Sequence, residues 1–96
     1  MARIYMDELS ARHVTQRIKQ RISSEQGRVK MVQTIKRLLT MDAPAEVLGH
    51  YQWHMNVERI GRIVFRGHSV RTVYSFQENF PNSTEYRIHG QQIVRA

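Results

Sequence analysis

Val57-Glu58-Arg59-Ile60-Gly61-Arg62-Ile63-Val64-Phe65-Arg66, followed by Gly67-His68 and then Ser69-Val70-Arg71-Thr72-Val73-Tyr74-Ser75-Phe76, is the stretch that decides the fold. Apolar residues recur here with a period of two, the mark of half-buried strands, and Gly67-His68 supplies the tight turn of a hairpin. Outward toward the C-terminus, the polar loop Gln77-Glu78-Asn79-Phe80-Pro81-Asn82-Ser83 leads to a second pair. Tyr86 and Ile88 precede a turn at Gly90-Gln91, and Ile93 and Val94 follow it.

Toward the N-terminus the period lengthens to three or four, which is helical. Ala11, Val14, Ile18 and Ile22 form one stripe, with a start at Asp7 or Ser10. Ser23-Ser24-Glu25-Gln26 has the spacing of a capping box with Ser23 as the cap. A second helix follows, with the stripe Met31, Val32, Ile35, Leu38 and Leu39, ending near Met41. Gly27 leaves open a single long bent helix. Asp42-Ala43-Pro44-Ala45-Glu46 reads as the start of a short third helix that ends at Gly49, or extends through Tyr51 and Met55. Arg3-Ile4-Tyr5 is a candidate edge strand.

Helices first and strands afterwards indicate an α+β fold: two long helices and one short one packed on a C-terminal antiparallel sheet of about four strands. The chain is expected to be one domain over 1–96, mainly helical and basic in 1–50 and stranded in 56–96. At this size folding buries only roughly two-thirds of the surface of the unfolded chain, which leaves room for a homodimer. Absence of cysteine excludes a disulfide framework, a thiolate zinc or iron–sulfur site and a cysteine nucleophile. The longest apolar runs are three residues, such as Ile63-Val64-Phe65, and Met1-Ala2-Arg3-Ile4-Tyr5 is no signal-peptide core. A cytoplasmic protein without membrane contact is expected.

The net charge of +7 is unevenly spread. Residues 1–41 carry nine Lys/Arg against three acids, whereas residues 42–96 carry six against five. On helical geometry Arg12, Gln16 and Lys19 lie opposite the first apolar stripe, and Lys30, Gln33 and Arg37 opposite the second. Cations interspersed with glutamine suit phosphates on nucleic acid or a nucleoprotein, or an acidic protein surface. The break between the helices is compatible with a helix-turn-helix and equally with a helical hairpin that covers a sheet.

Among the strand arginines, Arg62, Val64 and Arg66 share one side, so that side is either a solvated face or a cationic surface. His50 and His54 would face the same way on a continuous helix, yet no third ligand and no His-Glu-x-x-His pattern accompanies them, and no metal or other cofactor is expected. Trp53 reads as core, with base stacking as the functional alternative. No triad signature and no glycine-rich phosphate loop is present.

The string Trp53-His54-Met55-Asn56-Val57-Glu58-Arg59-Ile60-Gly61-Arg62-Ile63-Val64-Phe65 resembles the pattern leading into the sheet of RelE/HigB-type messenger-RNA-cleaving toxins. The resemblance implies a ribonuclease in which Arg62 contacts the scissile phosphate. The hairpin from Thr84 to Arg95 is additional to that pattern, and the family's C-terminal catalytic tyrosine has no counterpart. The leading expectation is therefore a small basic protein that binds nucleic acid or a nucleoprotein by occupancy, through Arg12, Lys19, Lys30, Arg37, Arg62 and Arg66, and not an enzyme. The alternatives are the RelE-like ribonuclease and a protein inhibitor of a nucleic-acid-processing machine.

Overall fold

In the computed structural model, which describes all residues from Met1 to Ala96, the first helix starts where a carboxylate can accept from an orphan amide. Asp7 is the N-cap of α1 (Glu8–Arg21), its side chain accepting from the Ser10 amide at 2.7 Å. That bond holds the Asp7 carboxyl below the usual carboxylate range. Helix α2 (Glu25–Leu38) is capped by Ser24, whose hydroxyl accepts from Gly27 at 2.9 Å. The expected cap at Ser23 is thus displaced by one residue. Gly27, which argued for an unbroken helix, is instead required at the break. A Cβ there would meet the Ser24 hydroxyl at 2.8 Å, Ile22 at 3.0 Å and Ile60 at 3.1 Å.

The buried stripe of α2 is Met31, Ile35 and Leu38, while Val29 and Val32 are 50% and 40% exposed. Val32 therefore leaves the expected stripe, because the line through 31, 35 and 38 is the one turned to the sheet. Beyond Leu38 the backbone closes into turns up to Met41. The expected third helix contracts to a single 3-10 turn, Ala45–Val47, with Val47 buried. Asp42 does not cap it, since the N-terminal segment occupies that backbone: Ile4 donates to Met41 and Ala43 to Ala2. Arg3-Ile4-Tyr5 makes isolated bridges to Asp42 on one side and Ser69 on the other, and so ties rather than extends the sheet.

Five strands follow: β1 (Gln52–Val57), β2 (Gly61–Arg66), β3 (Ser69–Ser75), β4 (Thr84–His89) and β5 (Gln92–Arg95). The α+β class holds, and the sheet contains one strand beyond the expected four. The stretch Val57–Arg66, expected as one strand, holds the end of β1, a turn at Glu58–Ile60 and the whole of β2. Glu58 adopts φ 51° to make that turn. Residues 52–56, considered for a helical extension, are strand, because Trp53 and Met55 alternate into the core beside Val57.

The strand order is β3-β2-β1-β4-β5, antiparallel throughout except that β1 and β4 run parallel. One face carries Trp53, Met55, Ile63, Phe65, Val70, Val73, Tyr86 and Ile93, packed with Val14, Ile18, Ile22, Met31, Ile35 and Leu38 from the two helices. Trp53 is core, as read. It is fully buried, stacks on Phe65 at 3.9 Å, meets the edge of Tyr86, and donates its indole N–H to the Gly67 carbonyl at 2.8 Å. The radius of gyration, 12.2 Å, matches the ~12–13 Å of one compact domain of this length.

The order of strands has a consequence for the opposite face. β3 is an edge and β4 lies beyond β1, so the segment joining them must cross β2 and β1. It does so on the helix-free side, where Phe80 packs edge-on against His54 (4.6 Å) and Tyr74 (5.5 Å).

Candidate nucleic-acid interface

The six expected site residues are divided between two opposite layers. Arg12 and Lys19 project outward from α1, and Lys30 and Arg37 outward from α2, all exposed. Arg62 and Arg66 stand on the helix-free face of β2 and do not join them. Within the helical layer the cations differ in engagement. Arg12 pairs with Glu8 at 2.9 Å and Lys30 with Glu58 at 3.1 Å, both in open solvent. Arg37 donates to the Gly90 carbonyl at 2.7 Å and keeps its charge unneutralised. Lys19 has no carboxylate within 4.0 Å.

On the sheet side Arg62 is held. Its guanidinium donates to the Phe76 carbonyl at 2.8 Å and lies over the rings of Phe76 (4.5 Å) and Phe80 (5.0 Å). Beside it His54, only 7% exposed, shares a hydrogen bond of 2.8 Å with the Ser83 hydroxyl. Burial lowers the His54 pKa; nearby Glu85 opposes this and Arg62 reinforces it. His54 sits in β1 and His50 precedes that strand, so the helical spacing that would turn both imidazoles one way does not exist. The parity reading of Arg62, Val64 and Arg66 is correct, but the face is neither fully solvated nor uniformly cationic. Val64 and His54 are buried beneath the crossover.

Arg66 escapes that cover. It is exposed at the far end of β2, where a hollow of about 190 Å³ is walled by Arg66, Arg71, Gln52, Thr72, Tyr74 and Phe80. Arg71 reaches this place through a break in register. Phe65 pairs with Val70 while Val64 pairs with Thr72, so Arg71 is the extra residue of a β-bulge. Arg66 and Arg71 also border an adjoining depression with Gly49 and His50. Neither hollow is lined by a carboxylate. Counting residues did not bring Arg71, Tyr74 and Phe80 together, although one signal was visible: a phenylalanine and a proline inside an otherwise polar connecting loop.

No helix is long and apolar enough to cross a membrane. No family model, curated protein or solved structure matches this chain.

Proposed function

We propose that this protein binds nucleic acid, free or within a nucleoprotein assembly, by occupancy rather than catalysis, with the outward faces of α1 and α2 as its electrostatic footprint. One observation carries the reading: of fifteen Lys and Arg, only four have a carboxylate partner within 4.0 Å. Two of those four, Arg12 and Lys30, are paired in open solvent, where such pairs contribute little and exchange readily for a phosphate. Gln16 and Gln33 lie exposed between the cations and offer donors to phosphate oxygens. Arg62, the residue that the toxin resemblance would place on a scissile phosphate, is occupied by Phe76 and Phe80, so occupancy is favoured over cleavage.

The test is a salt titration of binding to a labelled duplex. Affinity should fall steeply, with a slope of log K against log salt of about −0.9 per phosphate contacted. The double variant Lys19→Glu/Lys36→Glu changes two exposed side chains outside every ion pair of the molecule. It should weaken binding about tenfold or more at low salt and flatten the slope. Salt-independent binding, or capture of an acidic protein with no affinity for nucleic acid, overturns the proposal.

A further inference from the structure

The helical footprint carries charge alone, but the far end of the sheet carries charge beside aromatic surface. We infer that the hollow between Arg66 and Arg71 is a subsite for an unpaired nucleotide, the two guanidiniums holding a backbone phosphate and Tyr74 with Phe80 receiving the base. The inference rests on the nucleic-acid reading above and adds to it a second surface and a strand state.

Four observations support it. Arg66 and Arg71 border the same two hollows, and neither is in an ion pair. Asp7 shares a neighbouring depression with Arg71 and feels its charge, but beyond the 4.0 Å of an ion pair, and an oxygen of its carboxylate accepts the Ser10 amide. The same hollow is lined by Tyr74 and Phe80, both half-buried; Arg21 lies over the Tyr74 ring (4.8 Å) and Arg62 over the Phe80 ring (5.0 Å), so the base would meet the remaining ring surface that faces the hollow. Gln52 adds an exposed hydrogen-bonding amide to the lining, whereas the Thr72 hydroxyl is shared with His13 at 3.1 Å.

Strand state follows from shape. Phosphates of a duplex can reach two exposed arginines, but its bases are stacked and present no ring face to a concave pocket. An unpaired base does, and ring stacking tolerates any base. The subsite is therefore selective for single strands without being selective for sequence.

The experiment measures binding of three labelled probes: a uridine dodecamer, a thymidine dodecamer and a mixed-sequence duplex of equal length. They are titrated against the unmodified chain, Arg66→Gln/Arg71→Gln, Tyr74→Leu, and Lys19→Glu/Lys36→Glu, with circular dichroism confirming each fold. The arginine pair should lose at least tenfold in single-strand affinity and about 0.7 in salt slope, the share of one phosphate, with a smaller loss on the duplex. Tyr74→Leu should cost roughly five- to a hundredfold on single strands at an unchanged salt slope. Equal losses on the two dodecamers indicate ring and phosphate recognition; a loss confined to uridine adds recognition of the 2′-hydroxyl at the same subsite. Unchanged single-strand binding in Arg66→Gln/Arg71→Gln, with loss only in Lys19→Glu/Lys36→Glu, overturns the subsite and leaves the footprint standing. No binding of any probe at low salt overturns both.

Discussion

Gly67 ties the turn between β2 and β3 to the stretch 49–53 that leads into β1. Its amide donates to the Tyr51 carbonyl at 2.8 Å, its carbonyl accepts the Trp53 indole, and its φ of 58° places the site of a missing Cβ 2.7 Å from the Gly49 carbonyl. Left-handed backbone and a backbone clash both oppose a side chain there. Gly67→Ala should lower stability by about 2–4 kcal/mol, read from the urea midpoint. His54 supplies a second prediction. Its pKa is lower in the folded protein than in the unfolded chain, so the unfolded state takes up the proton first as pH falls. The stabilisation is complete above the ordinary histidine pKa and is lost as pH drops through the lowered one. Urea midpoints at pH 8 and pH 5 should differ more for the unmodified chain than for His54→Gln, and equal differences would refute the assignment. Trp53 was legible as core because its flanking pattern is local. The burial of His54 was not, since its cover, Phe80 and Ser83, arrives from a loop more than twenty residues along the chain.

At the scale of elements, the helix pair was legible and its boundary was wrong by one residue. Ser23 and Ser24 are equally good caps in isolation. Ser24 takes the role, its hydroxyl accepting from the Gly27 amide where Ile22 and Ile60 leave little room for a side chain. Ser24→Ala should cost about 1 kcal/mol, whereas Ser23→Ala should stay within roughly 0.5 kcal/mol, and paired thermal melts distinguish the two. Strand β1 was hidden for a different reason. Val47, Leu48, Tyr51 and Met55 mimic helical spacing, and only the pairing of Gln52–Val57 with β2 and β4 discloses the strand. The Gln77–Ser83 connection reads as a polar linker, yet its Phe80, together with Phe76 just before it, clamps Arg62. A linker and a cover have the same composition until the sheet beneath them is known.

For the molecule as a whole, one core joins both helices to all five strands, and the N-terminal segment is bonded to the Met41–Ala43 turn and to β3. Unfolding should therefore be a single two-state transition. Helix loss by far-UV circular dichroism and exposure of Trp53 by fluorescence should share one denaturant midpoint, and separate midpoints would show that the layers fold independently. The sequence alone determined the α+β class, the two helices, the side of β2 to which Arg62 and Arg66 point, and the excess of cations, because periodicity and charge are properties of neighbouring residues. Tertiary structure decided the strand order, the parallel match of β1 with β4, and the crossover over the open face. It also divided the cations: Arg62 is stacked and sequestered, Arg12 and Lys30 are paired, and Arg66 and Arg71 are left free beside Tyr74. Backbone hydrogen bonds are alike for every strand, and long side chains find partners distant in sequence. Which ones meet is set only when the whole core packs.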